Sequence, residues 1–195
     1  MVALVENKSD TPPARYSHYR LGMLVALAAT VMLFTSLTSA YIVRASTAND
    51  WSRLPVPPLL WLSTALILTS SATLEIARRG LQHARLSLYR RWLAFTTALG
   101  FAFLVSQITV WRQLSGQGIY IDSNPHSSFF YLLTAAHGLH LGGGLLGLLY
   151  LLIRYRSQTA ENVGRPLAAA GAVGIYWHFM DALWIYLFLL LFLWK

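Results

Sequence analysis

The chain contains no cysteine and few charged residues, and both shortages narrow what it can be. With no cysteine among its 195 residues, it cannot form a disulfide, an iron–sulfur cluster, a thiolate copper site or a covalent haem attachment. Charged residues make up 11% of the sequence, well below the roughly 25% of soluble domains. A glycine-rich phosphate loop and a GxSxG nucleophile turn are also missing. These absences argue against a soluble enzyme built on any of those sites.

What the chain has instead is long apolar runs. They occupy about 21–43, 59–77, 92–114, 127–153 and 167–194. A helix needs about 20 residues to cross about 30 Å of hydrocarbon, and the runs reach or nearly reach that length. The sequence therefore predicts an all-α membrane protein, a bundle of five transmembrane helices, with residues 20–195 as one membrane domain and 1–19 as a polar tail. We do not expect the first run to be a cleaved signal peptide, because it exceeds the roughly 7–15 residues of such a core.

Lysine and arginine are distributed unevenly among the predicted loops. If five helices alternate in direction, eleven of these cations share a side with the N-terminus and four lie on the other side. The positive-inside rule then predicts a cytoplasmic N-terminus and a periplasmic C-terminus. We attribute most of the net charge of +8 to this topological signal and to contact with lipid headgroups. We do not expect nucleic-acid binding.

Two pairs of ionisable residues lie within the predicted spans. His178 and Asp181 are three residues apart in the fifth helix, and His137 and His140 are three apart in the fourth, so each pair shares one helix face. Such groups are costly in hydrocarbon, and we predict that the four form an interhelical polar cluster. The alternatives are a four-ligand metal site or a haem held between two histidines. We expect no metal here.

The end of the second helix carries an acidic residue followed by two basic ones. Glu75 precedes Arg78 and Arg79 by one turn, a spacing that predicts an ion pair at the membrane surface. A proton relay is the alternative role for Glu75. We also expect Arg78 and Arg79 to contact phospholipid headgroups.

Small and hydroxyl residues of the spans predict helix packing. Gly138/Gly142 and Gly143/Gly147 form two GxxxG pairs in the fourth helix, which allow close approach of a neighbour. The many serines and threonines of the first two helices are expected to bond to their own helix one turn back, with a proton wire as the alternative. Gln107 is predicted to be an interhelical hydrogen-bond donor.

Four segments carry a resemblance to a known family. They are YWHFMDALW at 176–184, FFYLLTAAHGLHLGGG at 129–144, RLGMLVALAATVMLF at 20–34 and PPLLWLSTALILTSSATLEIARRGL at 57–81. The first resembles the terminal-helix signature of subunit III of haem-copper oxidases, such as cytochrome c oxidase, and the second resembles its His-Gly-Leu-His helix. The other two are similar to its Arg-x-Gly-Met helix and its Ser-Ser/Ser-Gly helix. The resemblance runs in order over about residues 20–195.

This resemblance implies a subunit without a redox centre of its own. Members bind beside the catalytic subunit I and through it associate with subunit II. The haem and copper are expected in these partner subunits. They hold structural phospholipid, sustain proton uptake and protect the active site during turnover. The implied protein is a five-helix accessory subunit of a terminal oxidase in a bacterial inner membrane, serving aerobic respiration. The electron donor would be cytochrome c or quinol.

Two positions depart from the family pattern. The family's buried carboxylate of this first helix falls at Thr30, and a second family glutamate falls at Val110. Roles that depend on those carboxylates therefore do not carry over. Seven-helix members also have a lipid-holding cleft between their first two helices and the rest, and this chain begins at the equivalent of the third helix.

Other functions are compatible with the same features. Relatives of this family accompany nitric oxide reductase, so a partner of that enzyme is the nearest alternative. A self-sufficient carrier or ion channel and a membrane metalloprotein that uses the two histidine pairs are the others.

Overall fold

The five apolar runs all fold as helices. The structure is a computed structural model that describes residues 15–47, 51, 57–83, 85–156 and 166–193. These residues form α1 (Arg15–Thr47), α2 (Leu59–Gln82), α3 (Leu86–Gly116), α4 (Pro125–Arg156) and α5 (Pro166–Leu193), with no strand among them. Each helix is long and apolar enough to cross a membrane. The predicted all-α architecture of five spanning helices is confirmed.

Most of the helices extend beyond the apolar runs that predicted them. α3 begins at Leu86, six residues before the predicted start at 92, because the helix continues through Arg90 and Arg91. Charged residues are tolerated there, since the helix end is outside the hydrocarbon. α1 begins at Arg15, within the segment predicted as a polar tail, and residues 1–14 lie outside the described part of the chain.

Successive helices run antiparallel. Ser63 Oγ lies 2.8 Å from Ser106 Oγ, and Thr73 Oγ1 lies 2.8 Å from Thr96 Oγ1, so residue numbers rise along α2 as they fall along α3. Contacts between α3 and α4, α4 and α5, and α1 and α4 show the same reversal. One end of the bundle therefore carries the starts of α1, α3 and α5 and the ends of α2 and α4. We name it the N-side, and the opposite end the C-side.

The inner face of α5 forms the centre of the bundle. Trp177 and Trp184 are both buried there. The indole Nε1 of Trp177 donates to Ser70 Oγ at 3.1 Å, and Nε1 of Trp184 donates to Thr64 Oγ1 at 3.1 Å. The ring of Phe103 meets Trp184 edge to face at 4.9 Å. Since a buried N–H in hydrocarbon needs an acceptor within the protein, these bonds attach α5 to α2 in a definite register.

The contact of α3, α4 and α5 depends on a glycine that the motif search did not single out. At Gly100 of α3, an added Cβ would lie 2.7 Å from Cη2 of Trp177 and 2.8 Å from Cδ2 of Leu145. Carbon atoms do not approach so closely, so only a residue without a side chain fits between these helices. Gly100 therefore sets how near α3 lies to the other two.

Only some glycines of the predicted GxxxG pairs of α4 lie at a close helix contact. A Cβ at Gly147 would lie 3.3 Å from Val173 of α5, and one at Gly144 would lie 3.2 Å from Trp177. At Gly142 nothing lies within 4 Å, and at Gly138 the nearest atom is 3.8 Å away. The prediction of close packing at the Gly138/Gly142 pair is wrong, because a Cβ at Gly138 would make only an ordinary contact with Leu104 of α3 and one at Gly142 would have no neighbour within 4 Å.

We expect Gly100→Ala to destabilise the bundle by about 1–3 kcal/mol, the usual result of overpacking a core. The matched control is Gly142→Ala, where an added Cβ meets nothing within 4 Å. That variant should leave stability unchanged or raise it slightly, because alanine is the better helix former. The measurement is the free energy of unfolding of the full chain in mixed micelles. Equal effects of the two substitutions would contradict the packing described here.

Candidate functional site

His178 links α5 to α2. Its Nδ1 lies 2.6 Å from Ser71 Oγ, and the ring is half-buried. One turn before it, Gly174 lies under the Arg78 side chain, since an added Cβ there would be 3.1 Å from Cδ of Arg78. His178 is also within electrostatic range of both Arg78 and Glu75. The imidazole therefore lies between a serine in the bundle and charged groups near the N-side.

Asp181 lies one turn deeper on the same helix. It is 3% exposed and lies between Trp177 and Trp184 on the inner face of α5. Neither carboxylate oxygen has a hydrogen bond within the described part of the chain. The Ser71 side chain is a neighbour of Asp181, but its hydroxyl lies outside hydrogen-bond geometry.

The two histidines of α4 point to different neighbours. His137 is 0% exposed, and neither ring nitrogen has a hydrogen bond. Its ring centroid lies 5.3 Å from that of Trp184 and 5.9 Å from that of Phe103. His140 faces α1, with its ring 5.6 Å from that of Phe34. Its Nδ1 donates to the carbonyl one turn back in its own helix at 2.8 Å.

The four predicted site residues thus meet their neighbours separately. His178 and Asp181 face α2, His137 faces α3 and α5, and His140 faces α1. Among the described residues, no hydrogen bond joins any two of the four. Within the same part of the chain, no group of three His, Asp or Glu side chains could hold a metal ion.

Ser71 is a residue of the candidate site that sequence reasoning missed. Most hydroxyls of α1 and α2 do bond to their own helix, as expected. Ser71 instead bonds to His178 of α5. Thr69, two residues earlier in a similar sequence context, bonds to its own helix. The sequence therefore gives no signal that Ser71 bonds to a different helix. Which hydroxyl meets a distant helix depends on the rotation of α2.

Ser71, His178 and Asp181 have the composition of a catalytic triad without its geometry. In a triad, the carboxylate accepts a hydrogen bond from the histidine and so orients the ring. Asp181 accepts none, and the serine lies inside a helix bundle rather than in an open cleft. The arrangement is therefore suited to holding or passing a proton rather than to attacking a substrate.

Glu75 makes two ion pairs at the N-side end of α2. Its Oε2 lies 3.3 Å from Nη1 of Arg78, and its Oε1 lies 3.2 Å from Nε of Arg79. Arg79 is 72% exposed and Arg78 is 32% exposed. Arg79 therefore extends outward, while Arg78 lies against α5. One carboxylate serves two guanidinium groups, so the cluster keeps one positive charge.

Three other positions that the sequence analysis singled out are all buried, but their contacts differ. Gln107 is buried, and within the described residues neither polar atom of its amide has a hydrogen bond, so the prediction that it donates to another of the described helices is wrong. Thr30 is buried and donates to the Ala26 carbonyl at 2.8 Å. Val110 is fully buried among apolar side chains. Neither of these last two positions supplies a group that can titrate.

Comparison with known proteins identifies the family. The family model described as Cytochrome c oxidase subunit III matches residues 9–195. A Mycobacterium tuberculosis protein named "Probable cytochrome c oxidase subunit 3" is 31% identical over 172 residues, which cover 86% of this chain and 84% of that protein. A Nocardia farcinica protein of the same name is 33% identical over 172 residues, with the same shares of 86% and 84%. A "Cytochrome c oxidase subunit 3" from a Bacillus species is 28% identical over 176 residues, covering 89% of this chain and 84% of that protein. This chain therefore belongs to the cytochrome c oxidase subunit III family, and it is a multi-pass membrane protein of the haem-copper oxidase complex.

Proposed function

We propose that the chain is the non-redox accessory subunit of a bacterial haem-copper terminal oxidase in the inner membrane. The observation that carries the proposal is the family match over residues 9–195, supported by five helices able to span a membrane. In this proposal the chain lies beside subunit I and through it is joined to subunit II. Those partners hold the haem and copper, and the complex reduces oxygen to water with electrons from cytochrome c or quinol.

The proposed role is to stabilise the catalytic subunit, to retain phospholipid and to sustain proton uptake. It is tested by extracting the complex in mild detergent through a tag on this chain. We expect a haem-containing catalytic subunit that reduces oxygen, and we expect removal of this chain to leave the haem spectrum intact while slowing proton uptake. A chain that purifies alone, or together with a nitric oxide reductase, would refute the assignment.

We propose further that the N-side of the bundle faces the cytoplasm. Among arginines with described side chains, six lie at or near the N-side and two at or near the C-side. The six are Arg78, Arg79, Arg85, Arg90, Arg91 and Arg154. Positive charge is retained on the cytoplasmic side of bacterial membrane proteins, which supports this orientation.

The absence of native cysteine makes the orientation straightforward to test. His83→Cys lies in the N-side turn after α2, and Gln117→Cys lies in the C-side turn after α3; both positions are exposed. The reagent is a thiol label that crosses the permeabilised outer membrane of intact cells but not their inner membrane. We expect it to label this chain only in the Gln117→Cys variant. The reverse pattern would invert the topology, and labelling of both in opened membranes is the control for access.

We also propose that Arg78 and Arg79 bind the headgroup of an anionic phospholipid. They lie where the apolar part of α2 ends, and Glu75 neutralises only one of the two charges. A guanidinium group forms paired hydrogen bonds to phosphate, so this cluster has both the charge and the donors that a headgroup requires.

Replacement of both arginines by glutamine is expected to weaken this binding by about 1 kcal/mol for each arginine. The measurement is the amount of anionic phospholipid that remains with the purified complex, determined by mass spectrometry. Arg112→Gln, an exposed position near the C-side, is the matched control and should retain the lipid. An equal loss in both variants, or no loss in either, would remove the arginine pair from the proposed site.

A further inference from the structure

Asp181 differs in burial from the other acidic residues that the structure describes. Of the three acidic side chains that the structure describes, Glu75 and Asp122 reach the surface and only Asp181 is buried. Neither of its oxygens has a hydrogen bond to any residue that the structure describes. Because its side chain points into the bundle between two buried tryptophans, neither a lipid headgroup nor a partner subunit can reach it. An isolated carboxylate in such surroundings is strongly unfavourable and takes up a proton instead.

The groups around Asp181 offer no charge that would keep it ionised. From α2 its neighbour is the neutral hydroxyl of Ser71, and from α4 His137 packs on the adjacent Trp184 and has no hydrogen bond within the described residues. On its own helix the nearest imidazole is His178, one turn nearer the N-side, and the phenols Tyr176 and Tyr186 are neutral at neutral pH. The guanidinium of Arg78 is already paired with Glu75. A proton is therefore the simplest means of neutralising this carboxyl.

A line of polar side chains connects Asp181 with the N-side. Ser71 neighbours Asp181 and is 2.6 Å from Nδ1 of His178. His178 in turn lies beside Arg78 and Glu75, whose side chains are 32% and 41% exposed. The Ser71–His178 step is a hydrogen bond, the Ser71–Asp181 step joins neighbours that do not yet share one, and His178 is within electrostatic range of the outermost pair, which reaches the bundle surface.

We propose that Asp181 is a proton-binding site that exchanges its proton with the N-side through Ser71 and His178. A proton from the N-side binds Nε2 of His178, and the Nδ1 proton moves to Oγ of Ser71. A rotation of the Ser71 or Asp181 side chain brings their oxygens into hydrogen-bond contact, and the original hydroxyl proton of Ser71 then moves to the carboxylate of Asp181. Ser71 keeps one proton, His178 ends as its other neutral tautomer, and the only net change is that Asp181 becomes a carboxylic acid. Reversal of the same steps returns the proton.

The site is a property of this chain and does not depend on which enzyme it accompanies. Its use in proton uptake by an oxidase rests on the function proposed above. The experiment therefore observes the carboxyl group itself, so that a failure of the oxidase assignment and a failure of the proton site give different results.

The test is infrared spectroscopy of the full chain reconstituted in lipid vesicles. At neutral pH we expect the C=O stretching band of a protonated carboxyl, which shifts when aspartate carboxyls carry carbon-13. The band should disappear in Asp181→Asn and persist in the matched variant Asp122→Asn. If Asp181→Asn does not fold, the isotope shift together with persistence of the band in Asp10→Asn, Asp50→Asn and Asp122→Asn, which cover the other aspartates of the sequence, makes the assignment. Absence of the band in the wild-type chain would overturn the proposal.

The route is tested by the rate at which this band shifts after transfer to heavy water. We expect Ser71→Ala and His178→Leu each to slow the exchange by roughly 100-fold, the low end of what a positioned proton-transfer group contributes. Thr69→Ala is the control, because Thr69 is an exposed hydroxyl two residues before Ser71 that bonds to the Ala65 carbonyl of its own helix. Exchange that is as fast in Ser71→Ala and His178→Leu as in the wild type would exclude this path.

Discussion

The interior of a lipid bilayer provides no hydrogen-bond partner, and this constraint determines how the five helices fit together. Every polar group on an inner helix face must be satisfied by the protein. The indole N–H groups of α5 meet this requirement through Ser70 and Thr64 of α2. α2 and α3 meet it through paired hydroxyls at two levels. A shift of one residue would rotate a helix by about 100° and break all of these bonds together, so the register of the core follows from them.

Seven of the described side chains have a buried polar atom without a hydrogen bond, and Asp181, His137 and Gln107 among them lie around one aromatic layer. Asp181 precedes Trp184 by one turn, His137 packs on Trp184, and Gln107 follows Phe103 by one turn on the buried face of α3. Native structures leave few buried polar groups unpaired, and those that remain often have a function or hold water. That three of the seven lie around one aromatic layer indicates that this layer is not optimised for stability alone.

The length of each apolar run was sufficient to predict the five helices, because the thickness of the bilayer sets that length. Local spacing was also sufficient for Glu75, since both of its partners lie within one turn on the same helix. Spacing could not show which helix a polar residue faces. His137 and His140 share one face of α4, yet one packs on α5 and the other on α1. The same limit applies to the glycines, because the large side chains of α5 decide that Gly144 is needed and Gly142 is not.

The substitutions at Thr30 and Val110 bear on where proton chemistry can occur in this chain. Thr30 bonds to its own helix and Val110 lies in an apolar environment, so neither replaces a carboxylate. Among the described residues this leaves Asp181 as the buried acid, with its polar connection to the N-side through His178. That side is rich in arginine, and a positive potential opposes the approach of a proton. Glu75 reduces this effect, because it pairs with both arginines immediately beside His178 and places a negative charge where the proton would enter.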